Sequence, residues 1–367
     1  EIGRFDDIIG HGLLSWIPEG LQDELLAACN RLLSPRGLAH ISFNVNPGAR
    51  DLMWLREKLL YHVRGLDSPR DRAAAAWKFA HFIAKVQETR NGLRDAYMKK
   101  VLGTFGKMTN PETYFYHEFL EADNNPLLLT EFTEKADRNG LRYLGEACPR
   151  HRTLDSIEPG LANVIRQFSD DPRVQEQYLD LALETNFRRA ILCRDDATVG
   201  EPVRDALPST WSATCHGTPD GTDEEGRACF VRSSGRRIGT NDGPTAAALE
   251  KICAAWPAAC SLGELRACFG EGGDGPLGAE ASHVLHGLYR DDFIKLQMHW
   301  PSIATVVTER PTASSLVRSL AGKRDRIPNQ YHGNMTMDDA VTLLLLAKLD
   351  GTRDRNDLAT LLLAAVR

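Results

Sequence analysis

The chain has 367 residues, enough for two or three domains of roughly 100–200 residues each. Hydrophobic residues make up 42% and charged residues 26%, which is typical of a globular chain with buried cores. The net charge of −6 gives no general attraction to phosphate backbones and argues against a dedicated nucleic-acid binder.

The cysteines and the apolar stretches indicate the cellular compartment and the kinds of metal or disulfide site to expect. None of the eight cysteines forms a CxxC pair or has zinc-finger spacing, so we expect reduced, mostly buried thiols and no metal site. No stretch approaches the ~20 apolar residues of a membrane span, and no secretory signal is visible. We therefore expect a cytoplasmic protein.

The first predicted elements form a strand–helix–strand unit. FDDIIG (5–10) predicts a short buried strand, and LAHISFNV (38–45) predicts a second one. Leucines at helical spacing between them predict a helix that Pro35-Arg36-Gly37 stops. Such a unit is of parallel type, and ligands bind beyond the carboxyl ends of its strands, here His11-Gly12 and 44–48.

The middle of the chain is mostly predicted as helix. Residues 51–107 are expected to be helical throughout and to form a lid or a dimerisation layer above the sheet. The remaining expectations are an extended segment or loop at 113–126, a helix at 126–140, a strand at 141–148, helix from about 155 to 194, and a loose stretch at 196–227.

The tail is predicted to be a winged-helix-like module. A small hairpin at about 230–242 is followed by short helices, by a helix that runs into a strand, and by two helices around Asp350-Gly351-Thr352. Residues 245–367 carry 13 basic and 14 acidic side chains, and the short KRDR run at 323–326 is the main basic feature. Protein docking is therefore favoured over DNA binding for this tail.

Four blocks carry a family resemblance. They are HGLLSWIP (11–18), YFYHEFLEADNNPLLLTEF (114–132) with GLRYLGEA (140–147), EQYLDLALETNFRRAIL (176–192) and LDGTRDR (349–355). The opening stretch resembles strand 4, helix D and strand 5 of class I S-adenosylmethionine (SAM)-dependent methyltransferases. The four blocks together resemble a bacterial subfamily that joins this domain to a methyltransferase regulatory domain. Its members include protein-lysine methyltransferases that act on an outer-membrane protein.

The resemblance implies an α/β fold plus a mostly helical part. Residues 1–150 would form an incomplete class I methyltransferase domain, the C-terminal half of a Rossmann-like sheet, with a helical insertion at about 49–110. The regulatory domain would span 110–194, a linker 195–227 and the winged-helix-like domain 228–367. In that family the Gly-rich turn that holds SAM precedes this region, so we expect a truncated chain whose main cofactor motif lies upstream.

One Gly-rich motif matches the dinucleotide-binding pattern in its spacing but not in its structural context. Gly270, Gly272 and Gly275 spell GxGxxG, but they follow a predicted helix rather than a strand, and Pro276 adjoins the last glycine. A dinucleotide fingerprint needs the strand–turn–helix context, so the motif is interpreted as a loop.

The resemblance places the junction of cofactor and substrate at the first strand end. His11 would accept a proton or orient a donor amine, or it holds a loop backbone. Gly12 would allow close approach of a ligand, or it makes a tight turn. Trp16 would form a wall against the cofactor or the substrate, or it anchors packing. Asn44 and Asn46 would bind substrate, or they belong to the turn before Pro47.

A polar-aromatic cluster at Tyr114, Tyr116, His117 and Glu118 supplies further candidates. Comparable segments close over the active site in related small-molecule methyltransferases. His117 and Tyr114 are candidate catalytic residues, and Tyr116 and Glu118 are candidate substrate-binding residues, for example as a cage around an amine. The alternative is strand alternation, in which half of these side chains are simply buried.

Three functions remain open. The first is a SAM-dependent methyltransferase fragment whose acceptor is an amine on a protein or a small molecule, with a protein lysine expected by analogy and with homodimerisation open. The second is a non-catalytic regulatory and protein-docking module. The third is DNA binding by the tail, and no membrane partner is expected.

Overall fold

The computed structural model divides the chain into two compact units, Glu1–Glu201 and Pro202–Arg367. It describes residues 3–106, 111–148, 153–200, 206–301, 303–323, 326–331, 333–337 and 339–366. Both helices and mixed sheet are present, so the expected α/β class is confirmed. Arg324 and Asp325 of the KRDR run lie outside the described residues.

A four-stranded mixed sheet organises the first unit. Its strands are β1 Phe5–Gly10, β2 Leu33–Asn44, β3 Leu141–Glu146 and β4 Phe187–Arg194. Their spatial order is β1-β2-β4-β3. β1 runs parallel to β2, whereas β4 is antiparallel to both of its neighbours. Because β1 and β2 are parallel, their carboxyl ends lie at the same edge of the sheet.

Eight helices of the first unit fall among the described residues. They are α1 Glu19–Leu32, α2 Arg50–His62, α3 Pro69–Thr89, α4 Asp95–Phe105, α5 Pro111–Leu120, α6 Leu129–Arg138, α7 Pro159–Phe168 and α8 Pro172–Leu183. α1 and α6 bury alternate residues of β2, including Ile41 and Phe43, in one core. α2 to α5 form a separate helical core around Phe115 and Phe119.

Two boundaries near the sheet differ from the prediction. α1 ends at Leu32, and Pro35–Gly37 lies inside β2 rather than stopping the helix. The pairing of β1 with β2 shifts register between Phe5 and Asp7, opposite this Pro-Arg-Gly stretch. A proline is tolerated at such an irregularity because no ladder hydrogen bond is lost there.

The prediction of helix up to residue 194 is wrong at its end. α8 stops at Leu183, and Glu184 adopts the left-handed conformation with φ of +50°. Residues 187–194 then form β4, which is paired on both sides. A short apolar run such as AIL fits helix and buried strand equally well in the sequence, and tertiary pairing decides between them.

The segment predicted as extended or loop at 113–126 begins as a helix. α5 spans Pro111–Leu120, and Phe115 and Phe119, four residues apart, are buried in the helical core. This changes which side chains share a face. A strand would group 114, 116 and 118, whereas a helix groups 114, 117 and 118.

The second unit combines small antiparallel sheets with short helices. Its strands are β5 Ser212–Thr214, β6 Gly217–Thr222, β7 Ala228–Arg232, β8 Arg237–Thr240, β9 Cys260–Ser261, β10 Lys295–Gln297, β11 Arg326–Pro328 and β12 Asn334–Thr336. Its helices are α9 Gly243–Ala255, α10 Leu262–Leu265, α11 Ala279–Arg290, α12 Ser315–Leu320, α13 Ala340–Lys348 and α14 Arg355–Val366.

The hairpin and the terminal helix pair of this unit agree with the sequence. β7 and β8 pair antiparallel, and α13 and α14 flank the turn at Asp350. β5 and β6 lie within the stretch expected to be a linker. The GxGxxG stretch is a loop, and Arg266 donates from its guanidinium to the carbonyls of Gly272 and Gly275. Across the described residues, none of the helices combines the length and apolar character needed to span a membrane.

Candidate active site

A cavity of about 630 Å³ lies at the carboxyl ends of β1 and β2, and we call it cavity 1. Seven of the nine predicted site residues line it. They are His11, Gly12, Trp16, Asn44, Tyr114, His117 and Glu118. The strand ends form one side of the cavity, and α4 and α5 form the other.

The turn after β1 is fixed to β2 through one hydroxyl. The Gly12 N–H donates to Ser42 Oγ at 2.7 Å, and His11 Nδ1 lies 3.1 Å from the same oxygen. The His11 ring also lies beside Phe187, with centroids 5.8 Å apart in an edge-to-face arrangement. Burial, and then the His11 charge, lower the pKa of the neighbouring His40.

The loop that carries Trp16 is fixed through the preceding residue, Ser15. Ser15 Oγ accepts from the Asn44 N–H at 2.8 Å, and the Ser15 carbonyl accepts from the Asn125 N–H at 2.8 Å. The Trp16 ring then lies 4.5 Å from the His117 ring at an interplanar angle of 32°. This contact joins the loop after β1 to helix α5 across cavity 1.

Helix α5 presents the residues that its helical period groups together. Tyr114, His117 and Glu118 face cavity 1. Tyr116 packs against the helical core instead. The C-terminal end of α5 is anchored by the buried Arg56, which donates to the carbonyls of Phe119 and of two residues after it. A cation at this position satisfies helix-end carbonyls that would otherwise lack donors.

Burial and Glu118 shift the pKa values of several groups around cavity 1. Burial raises the pKa of the Glu118 carboxyl group, and the nearby His117 opposes that shift. Burial together with the charge of Glu118 also raises the pKa of Tyr114, and the pKa of Tyr97 rises through burial, Asp51 and Glu118. A carboxylate with a raised pKa can exchange a proton closer to neutral pH than an exposed one.

The strand that carries Phe187 into cavity 1 is fixed by a buried ion cluster. Arg188 is fully buried, and it donates to both oxygens of Asp180 at 2.8 and 2.9 Å. It also donates to Glu176 at 2.8 Å, and Tyr143 lies in the same cluster. This cluster joins β4 to α8 and β3.

The two remaining predicted residues lie elsewhere. Tyr116 packs into the helical core, as described above. Asn46 lines a second cavity of about 710 Å³ and donates to the Pro126 carbonyl at 3.2 Å. This second cavity is polar and mixed in charge. On its α6 side, hydrogen bonds from Arg138 lower the pKa of Asp23 to about 2, with Lys135 also contributing.

Several lining residues were missed in the sequence. Asn186 and Phe187 line cavity 1, but their segment was predicted as helix, which hid the strand end. Tyr97 and Lys100 line it from α4, whose segment was expected to belong to a lid or a dimerisation layer without any residue of it being named as a site candidate. Ser42 sits inside an apolar strand, where a lone hydroxyl gives no signal in the sequence.

Two segments of the chain match known domain families. Residues 111–194 match the family described as "Predicted methyltransferase regulatory domain". Residues 309–367 match the family described as "PKMT, C-terminal winged helix domain". The resemblance to bacterial methyltransferases of the protein-lysine methyltransferase-like kind and the winged-helix prediction are thus confirmed. Helix α5, one wall of cavity 1, lies in the first matched segment.

Curated relatives are similar over part of their length. Uncharacterized protein RP789 of Rickettsia prowazekii (strain Madrid E) is 30% identical over 203 residues, which are 55% of this chain and 36% of that protein. Uncharacterized protein sll1526 of Synechocystis sp. (strain ATCC 27184 / PCC 6803 / Kazusa) is 24% identical over 202 residues, 53% of this chain and 38% of that protein. The chain thus matches well under half of the length of either protein.

The fold is shared with a solved structure. PKMT2 from Rickettsia typhi in complex with AdoHcy superposes with a TM-score of 0.80 at 21% sequence identity. The superposition covers 99% of this chain and 73% of that one. PKMT2 from Rickettsia typhi without a named ligand gives a TM-score of 0.78 at 20% identity, over 100% of this chain and 73% of that one.

Proposed function

We propose that the chain is the acceptor-side and regulatory part of a SAM-dependent methyltransferase that methylates an amine, with a protein lysine as acceptor. The observation that carries this proposal is cavity 1. It lies at the carboxyl ends of two parallel strands, and its wall α5 belongs to the segment that matches the methyltransferase regulatory domain. The fold shared with AdoHcy-bound PKMT2 supports the same assignment.

The residues of cavity 1 fit a sulfonium cofactor. Gly12 has φ of +64°, and nothing lies within 4 Å of the place where a Cβ would stand, which leaves room for a ligand beside the strand end. The face of Trp16 and the carboxylate of Glu118 both attract a cation. His11, Gly12 and Trp16 would hold the cofactor, which supplies an electrophilic methyl group for in-line displacement.

The principal cofactor-binding turn belongs, in this proposal, to strands that precede β1. β1 is an outer strand of the described sheet, and Ile9 on it is 74% exposed. An open strand edge is what a neighbouring strand would cover, and an apolar residue this exposed on the sheet face is what a helix packed on that face would cover. Sequencing the gene upstream of the Glu1 codon tests this, because an in-frame strand with a Gly-rich turn is expected there.

The amine acceptor must lose a proton before it can attack a methyl group. Glu118 binds the ammonium form and takes that proton, because its half-buried carboxyl group has a raised pKa and faces the cavity. Tyr114 and Tyr97 contact the apolar stem and the cationic head of a lysine side chain. Asn44 hydrogen-bonds the substrate, and His117, whose ring lies against that of Trp16, orients the cofactor side of the cavity.

The test is a titration and a transfer assay on the product of the complete reading frame. AdoHcy binding is measured by calorimetry. Tritiated SAM is then incubated with total protein from cells that lack the gene, and the acid hydrolysate is analysed for labelled methyl-lysine. Glu118→Gln should reduce transfer by about 10²–10⁴-fold, as expected for loss of an acid–base group. Glu112→Gln, an exposed residue on the same helix, is the matched control.

Each outcome separates one part of the proposal. Label in methyl-lysine supports both the enzyme and its acceptor, and label in another amino acid overturns the lysine assignment. AdoHcy binding without transfer overturns the reaction. Absence of binding favours a regulatory and docking module, for which the exposed apolar side chains of Leu161, Val164 and Phe168 on α7 supply a surface. The homodimer and the cytoplasmic location stay predictions.

A further inference from the structure

The two ring nitrogens of His11 have different surroundings. Nδ1 lies 3.1 Å from Ser42 Oγ, beneath the turn that follows β1. For Nε2, the described part of the chain provides no partner, and the ring borders cavity 1. A neutral imidazole carries its proton on one nitrogen and accepts through the other. The partner of Nδ1 therefore decides what Nε2 offers to a ligand.

Ser42 has a single proton to donate, and its surroundings determine where that proton goes. The residue is fully buried on β2, so water does not take the proton. The Gly12 N–H already donates to the hydroxyl oxygen at 2.7 Å, and an amide nitrogen cannot accept. Among the described residues, His11 Nδ1 is then the acceptor within reach. Buried hydroxyls are rarely left without an acceptor.

We propose that Ser42 is a positioning residue that holds neutral His11 in the tautomer with its proton on Nε2. The lone pair of the ring is then engaged with Ser42, and cavity 1 receives an N–H donor. His11 is therefore not the group that takes the proton of the methyl acceptor. The tautomer is inferred from the local geometry alone, whereas its role in methyl transfer rests on the proposed function.

With this tautomer, His11 and Glu118 have different roles in cavity 1. An N–H donor meets an oxygen of a bound molecule, such as a carboxylate or a peptide carbonyl, and it repels the approach of a second donor. Proton uptake is left to Glu118, which borders the same cavity. Ser42 acts on the ligand through His11 and touches no ligand itself.

The tautomer is measured directly by nitrogen NMR of the chain labelled with ¹⁵N at its 11 histidines. His11→Gln identifies the His11 signals by their loss. At about pH 8, where an ordinary imidazole is neutral, the wild-type ring should show a protonated Nε2 and an unprotonated Nδ1. Ser42→Ala should shift the His11 signals towards a mixture of tautomers, and Ser42→Thr, which keeps the hydroxyl, should restore the original pattern.

A protonated Nδ1 in the wild type would overturn the proposal, and so would an unchanged pattern in Ser42→Ala. The wild-type spectrum decides the question even where a Ser42 variant does not fold. It also needs no turnover, so a failure of the proposed function leaves this test intact.

The transfer assay provides an independent readout. Gln at position 11 can place an N–H donor near Nε2 but cannot act as a base, whereas Ala does neither. If His11 is a donor, His11→Gln should retain about 3- to 10-fold more transfer activity than His11→Ala, the value of one hydrogen bond. An equal loss of about 10²–10⁴-fold in both variants would identify His11 as a base and contradict the assignment.

Discussion

Replacement of Arg188 by methionine tests whether the buried ion cluster holds β4 against α8. The guanidinium contacts both oxygens of Asp180 and one oxygen of Glu176, and the side chains of Arg188 and Asp180 are both 0% exposed. Methionine fills much of the same volume but leaves the Asp180 charge buried without its partner. Removal of one member of a buried pair costs about 3–5 kcal/mol, so the free energy of unfolding should fall by that amount.

Urea unfolding followed by circular dichroism measures this change. Arg189→Met is the matched control, because Arg189 is the next residue on β4, is half-buried and forms no ion pair in the described part of the chain. It should cost less than about 1 kcal/mol. Arg188→Met combined with Asp180→Leu should recover stability, since both charges are then gone. Equal unfolding midpoints for the two arginine variants would refute the reasoning.

Three further predictions concern stability and thiol chemistry. The pKa of Asp23 is lowered to about 2 by Arg138, so Asp23→Asn should cost about 1 kcal/mol at neutral pH. That cost should vanish as the pH falls from about 4 to about 2, as measured by urea unfolding at several pH values. A Cβ on Gly48 would stand 2.1 Å from a backbone oxygen, so Gly48→Ala should lower the melting temperature, whereas Gly65→Ala, with open space around it, should not. The half-buried Cys148 and Cys268 should react with Ellman's reagent before the six buried cysteines.

The strand-end residues could be predicted because a local rule places them. Two parallel strands joined by a helix bring their carboxyl ends to one edge, so His11 and Asn44 had to lie near each other. No long-range information was needed. Both residues do line cavity 1, together with Trp16 from the loop after β1.

The lid side of the site was harder to predict because it depends on the period of one segment. Polar and aromatic side chains alternate from Tyr114 to Glu118 in a way that fits a strand. The segment is helical because Phe115 and Phe119 pack into the core of α2 to α5. Choosing the wrong period put Tyr116 in the site, whereas it packs into the helical core. Such packing is a tertiary effect that a single sequence does not display.

Strand β4 was not predicted for the same reason, because tertiary contacts determine its conformation. Arg188 looks like a surface residue in a helix, since a fully buried arginine is rare without several partners. Its partners Asp180 and Glu176 precede it on α8, and Tyr143 comes from β3. The cluster exists only once the sheet has formed, so the pattern in the sequence could not reveal it.

The most direct test of the central claim is methyl transfer from tritiated SAM by the product of the complete reading frame, compared between wild type and Glu118→Gln. The account predicts labelled methyl-lysine with the wild type, a loss of about 10²–10⁴-fold in Glu118→Gln, and no comparable loss in Glu112→Gln. Equal transfer by all three proteins would contradict the role of cavity 1. Absence of transfer by a folded wild type that binds AdoHcy would contradict the proposed reaction.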